Sequence, residues 1–204
     1  ENEAACASCD GLRRAMEEGT VLEGVAQLCD GAHNLLVSVG PFTGFLPREE
    51  AALGIAEGTT REIAILSRVG KPVCFQITAL EESGGVLRPR LSRRRAQQAA
   101  LDAMLAGLHP GCILPAVVTH LESFGAFVDI GCGVPSLIGI ENISVSRIPH
   151  PDQRFRVGQA IFAVVQELDP KLGRVYLTHR ELLGTWLENA SLFAPGDTVQ
   201  GIVR

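Results

Sequence analysis

Cys6 and Cys9 form a CxxC pair, the spacing with which two thiolates share a zinc ion or exchange a disulfide. A tetrahedral zinc site needs two more ligands, and the sequence has no second CxxC or HxxxH to supply them. A thioredoxin-like strand ahead of the pair is missing too. Cys29, Cys74, Cys112 and Cys132 stand in apolar or β-like contexts, where a thiol behaves as a small hydrophobe. His33, His109, His120, His150 and His179 show no metal spacing, and His120 and His179 read as strand-edge side chains. No metal and no cofactor is expected. The phosphate-cradling GxxxxGK[ST], HExxH and GxSxG patterns are absent, and no two carboxylates pair on one element. Gly131-Cys132-Gly133 sits at a strand turn rather than before a helix, so it is no dinucleotide fingerprint. The prediction is a protein that is not an enzyme. Cations and a few aromatic rings remain. Arg88, Arg90, Arg93, Arg94 and Arg95 form a run with no acid among them. Residues 1–87 carry 6 basic and 13 acidic side chains, whereas residues 88–204 carry 12 and 10. Such asymmetry points to a polyanion meeting one half of the chain, although a solvated face and a helix start explain the arginine run equally well.

The elements that must position these groups follow from length and periodicity. With 204 residues, 46% apolar and 20% charged, the chain is neither a disordered tail nor a coiled coil. It has no run of eighteen apolar residues and no signal-peptide pattern, which predicts no membrane span and a reducing, cytoplasmic setting. A net charge of −5 argues against nucleic-acid binding over the whole surface. Three segments open alike, each with a Gly followed by an aliphatic residue three and six positions later: Gly19-Thr20-Val21-Leu22, Gly111-Cys112-Ile113-Leu114 and Gly196-Asp197-Thr198-Val199. They recur after 92 and 85 residues. Later anchors agree, with Gly70-Lys71-Pro72-Val73 parallel to Gly158-Gln159-Ala160-Ile161 and Leu91-Ser92-Arg93-Arg94 parallel to Leu177-Thr178-His179-Arg180. A period this long means tandem small domains rather than a solenoid. Because the chain opens on Glu1 and stops inside the third repeat, it is expected to be a trimmed piece of a longer protein.

The second repeat reads as strands over 112–121, 125–130, 136–140, 160–168 and 174–178, with Asp169-Pro170-Lys171-Leu172-Gly173 as a turn. Five strands in so short a stretch predict a closed Greek-key barrel. The fold class is therefore all-β: tandem five-stranded OB-type barrels joined by a short α-helix. The expected organisation is a helical lead-in over 1–18, a divergent, acidic barrel over 19–95 and a connecting helix over 96–108. A second barrel over 109–182, a helix over 183–195 and the first strand of a truncated third module over 196–204 follow. Helical spacing itself extends over Arg93–Leu105 and Glu181–Leu192.

The string Ser123-Phe124-Gly125-Ala126-Phe127-Val128-Asp129-Ile130-Gly131, followed by Gly158-Gln159 and Arg174-Val175-Tyr176-Leu177-Thr178-His179-Arg180, resembles the S1 RNA-binding domain family. Gly44-Phe45-Leu46-Pro47-Arg48 and Leu91-Ser92-Arg93-Arg94 look like the opening modules of bacterial ribosomal protein S1, and the whole arrangement like the shorter S1-type RNA-binding proteins of Gram-positive bacteria. The resemblance implies binding of single-stranded RNA or mRNA in translation. It makes the small ribosomal subunit a candidate partner and the chain a monomer. It also implies stacking of bases on Phe124 and Phe127, flanked by Asp169 and Arg174. Tyr176 shares a strand face with Arg174 and adds a further ring, while Arg147, His150, Arg154 and Arg156 in the long loop are placed to meet phosphates. Phe124 and Phe127 are three apart, so strict alternation sets them on opposite faces, and a bulge at Gly125 is needed to bring both to one surface. Apolar side chains on strands pack into cores by default, and only the resemblance moves this pair outward.

Two departures from the family pattern matter. Gly139 stands where many members carry a histidine on the third strand, and in the first unit His33 and Leu36 replace Phe124 and Phe127. The first unit, acidic and without stacking rings, reads as a protein-docking or spacer module. Two other functions stay open at this point: an adaptor whose barrels no longer bind RNA, and the RNA-binding part of a processing enzyme whose catalytic domain lies outside this chain.

Overall fold

The computed structural model describes residues 2–192 and 194–198. The chain divides into two compact units, one running to Ala106 and counting Gly131–Val134, the other beginning at Gly107. Each unit holds one closed five-stranded barrel, so the all-β tandem architecture legible in the repeat is the architecture found.

In the first unit, α1 (Asn2–Cys6) and α2 (Cys9–Glu18) lead into the strands. Ser8 caps α2, its hydroxyl accepting the Gly11 N–H, and Gly19 ends it in the left-handed region. Leu12 and Ala15 on one face of α2 are buried with the barrel core, and so is Cys6, whereas Cys9 is exposed. The strands are β1 (Leu22–Cys29), β2 (Leu35–Val39), β3 (Phe42–Leu46), β4 (Pro72–Ser83) and β5 (Val86–Ser92), with the short helix α3 (Ile63–Leu66) in the loop between β3 and β4. Strict alternation along β2 turns Leu35, Val37 and Val39 inward against Leu46, Phe75 and Leu91. Parallel pairing of β3 with β5 closes the barrel in the order β1-β2-β3-β5-β4.

The arginine run belongs to this unit's own electrostatics. Arg90 lies 3.4 Å from Glu81, and Arg94 reaches Glu57 at 3.5 Å. Arg93 is buried, with Nη1 donating to the Ala51 carbonyl at 3.1 Å. Arg90, Arg93 and Arg94 thus have partners within the unit, and the run leads into a helix. Helix α4 (Arg93–Gly107) continues from it.

The second unit repeats the barrel with β6 (Ile113–Glu122), β7 (Gly125–Asp129), β8 (Pro135–Gly139), β9 (Ala160–Asp169) and β10 (Arg174–Thr178). These strands fall within about a residue of the expected ranges, because alternation and turn residues mark both of their ends. Val118, Val128, Ile138, Val165 and Leu177 fill the core.

The helix expected over 181–192 is broken instead into a 3₁₀ turn, Arg180–Leu183, and a short α5 (Trp186–Ala190). Gly184 separates them at φ 76°, and a capping box restarts the helix. In that box Glu188 N–H donates to Thr185 Oγ1 at 3.2 Å, while Thr185 N–H donates to the Glu188 carboxylate at 2.6 Å. Most of the strand expected over 196–204 lies outside the described residues. No helix among the described residues is long and apolar enough to cross a membrane.

Candidate nucleic-acid interface

The β6–β7 hairpin turns in two residues, Ser123 and Phe124, with Glu122 opposite Gly125. Phe124 therefore stands in the turn, free of strand alternation, and is 54% exposed. Its ring meets Phe127 edge-on, with centroids 6.0 Å apart and planes at 89°, a geometry favoured by the ring quadrupoles. The pair does share a surface, but the bulge that shapes the hairpin is not at Gly125. It lies on the facing strand, where Thr119 has no partner between the pairs Val118–Val128 and His120–Phe127. Thr119 Oγ1 donates to the Phe127 carbonyl at 3.2 Å across this irregularity.

That extra residue reverses the parity of β6. Thr119 and His120 are both exposed in succession, and His120 comes to stand beside Phe127, centroids 6.4 Å apart and tilted by 31°. Directly paired residues point to one side of a sheet. Phe127 pairs with Leu137, Leu137 with Tyr176, and Tyr176 with Glu167. His120, Phe127, Leu137 and Tyr176 thus form one outer band across β6, β7, β8 and β10, with Phe124 at its rim. Arg174 is exposed at the start of β10, paired in register with Asp169. Asp169 is occupied with the turn: its Oδ1 accepts the Lys171 and Leu172 N–H groups, both at 3.0 Å.

The loop residues divide. Arg147 is exposed and lines a surface depression with Glu141, Ser144 and Arg180. Arg154 and Arg156 line a separate one with Asp152 and Gln159, and Arg154 Nη2 donates to Ser146 Oγ at 3.1 Å. The His150 ring caps the short 3₁₀ helix Pro151–Gln153, its Nδ1 3.1 Å from the Asp152 carboxylate. The structure thus brings the rings together and leaves the cations in two groups.

The first barrel has no comparable cluster of rings among its described residues. A matching irregularity lies between the pairs Ala26–Val37 and Leu28–Leu36, and the row continues to Phe45 and Arg90. At the position of Phe124 stands His33, held at φ 64° with Nδ1 2.8 Å from Glu62. Glu62 also accepts Arg48 Nε at 2.7 Å, and this bond holds its carboxyl below the ordinary glutamate range. Asp30 is lowered likewise, chiefly by the Asn34 side chain and main chain, and braces the same turn. A depressed carboxyl pKa contributes stability above the ordinary carboxylate range and loses it as pH falls through the folded value. The turn 30–34 and the 48–62 contact should therefore loosen only below that range. An NMR titration following the Asn34 and Arg48 amides checks this, and loosening already at neutral pH would contradict it.

Residue-by-residue reading does not single out His120 or Glu141, which the structure sets beside Phe127 and in the Arg147 depression respectively. Each looks like an ordinary exposed polar residue. His120 joins the band only because of a bulge that β-branched Thr119 does not announce. For Glu141 the one available signal is Gly139 two positions earlier, whose bare Cα lies beneath its carboxylate.

Residues 108–180 match the S1 RNA binding domain family, a span that encloses the whole second barrel. The small ribosomal subunit protein bS1 of Neisseria meningitidis is 28% identical over 177 residues, 84% of this chain and 29% of that protein. The protein of the same name from Staphylococcus aureus is 26% identical over 198 residues, 94% of this chain and 48% of its own length. The chain thus spans half or less of the length of the curated relatives it matches. Among solved structures, the solution structure of GSP13 from Bacillus subtilis aligns with a TM-score of 0.36 at 18% identity, covering 45% of this chain and 65% of that one.

Proposed function

We propose that this chain is a non-enzymatic, cytoplasmic binder of single-stranded RNA that acts on mRNA in translation. In this reading the module over 109–182 holds bases, and the module over 19–95 docks to protein, with the small ribosomal subunit as its partner. The observation that carries the proposal is the ring cluster of exposed Phe124 and His120 with half-buried Phe127, continued by Tyr176 across one barrel face. The S1 match over that barrel and the likeness to bS1 proteins support it. Each stacked base contributes about 1–3 kcal/mol without regard to sequence, so two or three rings outweigh any single loop arginine. Arg174 and Arg147, and Arg154 where its serine bond yields, then follow the phosphates.

A docking role for the first barrel is favoured by its band, in which Leu28 is 51% exposed and Leu36 and Phe45 replace the ring cluster. Its surplus of acids repels a phosphate backbone.

Fluorescence anisotropy of a labelled single-stranded RNA tests the reading. Two or three phosphate contacts, each contributing a slope of about 0.7 in log K against log salt, predict an affinity loss of about ten-fold between 50 and 200 mM salt. Binding indifferent to salt would count against phosphate contacts. Leu28→Ser in the first barrel should leave the RNA affinity within about two-fold, since that band takes no part in stacking. A larger loss would move RNA onto the first barrel. No RNA binding by the intact chain would leave the adaptor reading in its place.

A further inference from the structure

We propose that Glu141 is a specificity-determining residue that reads the base edge next to Phe124 and makes the second barrel prefer guanine. This rests on the RNA-binding reading above and adds a base preference that stacking alone does not supply.

Gly139, the last residue of β8, pairs with Gly125 directly behind the Phe124 turn. The following 3₁₀ turn, Ile140–Asn142, is tied to that hairpin because Ile140 N–H donates to the Phe124 carbonyl at 2.9 Å. Glu141 folds back so that its carboxylate lies over the bare Cα of Gly139. A methyl group at position 139 would collide with Oε1 and come within 3.1 Å of Oε2. The bare Cα at 139 leaves room for the carboxylate on the outer face of the hairpin, beside the ring band. Glu141 is exposed, and among the described residues its carboxylate makes no hydrogen bond or ion pair. Its main chain is anchored instead, the carbonyl accepting Arg180 Nη1 at 3.4 Å. Arg147 shares the depression with it and offsets its charge toward a phosphate backbone, whereas Arg180, which also lines it, lies 3.7 Å from Glu181.

A carboxylate accepts hydrogen bonds and donates none. Guanine presents two adjacent donors on its Watson–Crick edge, N1–H and the N2 amino group, which match two carboxylate oxygens in a bidentate, charge-assisted pair. Adenine and cytosine offer one amino group beside a ring-nitrogen acceptor. Uracil offers one N–H between two carbonyls that repel a carboxylate. Unpaired RNA bases splayed onto aromatic rings are read on these edges. The order expected is guanine first, then adenine and cytosine, then uracil.

The test uses the intact chain and short uridine-rich RNAs that differ at one central position: G, inosine, A, C or U. Anisotropy titrations should show guanine binding about five- to ten-fold more tightly than uridine, the low end of what a bidentate base contact supplies. Inosine, which lacks the N2 amino group, should lose most of that gain. Glu141→Gln keeps the shape and removes one acceptor, and it should bring guanine and uridine within about two-fold while leaving the circular dichroism and melting temperature unchanged. Equal affinities across the bases in the unmodified chain, or a guanine preference that survives Glu141→Gln, would overturn the assignment while leaving RNA binding intact. No binding to any of the five RNAs would instead overturn the RNA reading, and this inference with it.

Discussion

Phe124→Ala should weaken binding of single-stranded RNA by about five-fold or more with almost no loss of fold stability. The two halves of this expectation come from the same geometry. The ring is 54% exposed and stands in a hairpin turn, so its removal opens no core cavity. Its melting temperature should stay within about 2 °C of the parent, as for a surface substitution. What is lost is a base-stacking face, typically about 1–3 kcal/mol, or about 5- to 150-fold in affinity. The substitution also removes the edge contact that orients Phe127, whose centroid is 6.0 Å away. Anisotropy and a thermal melt on the same preparation separate binding from folding. Full affinity in a folded Phe124→Ala chain would refute the stacking platform. Phe127→Ala is a weaker test, because that side chain is half-buried and its truncation changes packing as well.

Much of this arrangement is legible in the sequence alone. The repeat of Gly-led strands and the turn residues between them are local signals, and the strands of the second barrel end close to where those signals fall. Tyr176 and Arg174 share a face by alternation alone. Tertiary context decides the rest. Thr119 is as good a strand residue as any, and its unpaired position follows only from how β6 must bend to pair with β7 and β9 at once. That bend puts His120 beside Phe127, which no count of periods on β6 alone reveals. The helix expected over 181–192 failed for a local reason that was visible: Gly184 at positive φ interrupts it, and Thr185 and Glu188 form a new start. The arginine run stays ambiguous in sequence because the acidic partners of Arg94, Glu50 and Glu57, lie far from it along the chain.

Phe155→Ala has the largest expected effect on stability, and it also links the loop cations to the barrel. The loop between β8 and β9 has little regular structure, yet Phe155 within it is 2% exposed. Its ring packs edge-on against His179, centroids 5.0 Å apart and planes at 72°. His179 is itself fixed at the end of β10: Nδ1 lies 2.8 Å from the Phe162 carbonyl, and its N–H donates to the Asn142 carbonyl at 2.8 Å. Phe155 thus anchors the loop segment that carries Arg154 and Arg156, its sequence neighbours, to His179 at the end of β10. Truncating a buried Phe to Ala costs about 3–5 kcal/mol. A domain of this size has a total stability of only about 4–10 kcal/mol, so the loss is a large share of what holds the barrel folded. At about 4–8 °C per kcal/mol, the melting transition of the second barrel should fall by at least 12 °C. Phe155→Leu keeps most of the apolar volume and should recover most of that drop. Below its transition, Phe155→Ala should bind RNA with a smaller dependence on salt than the parent, because the loop arginines lose their support while Phe124 and Phe127 do not. An unchanged melting temperature would show that the loop is not pinned through this ring. An unchanged salt slope in a destabilised variant would show that Arg154 and Arg156 do not reach the phosphates.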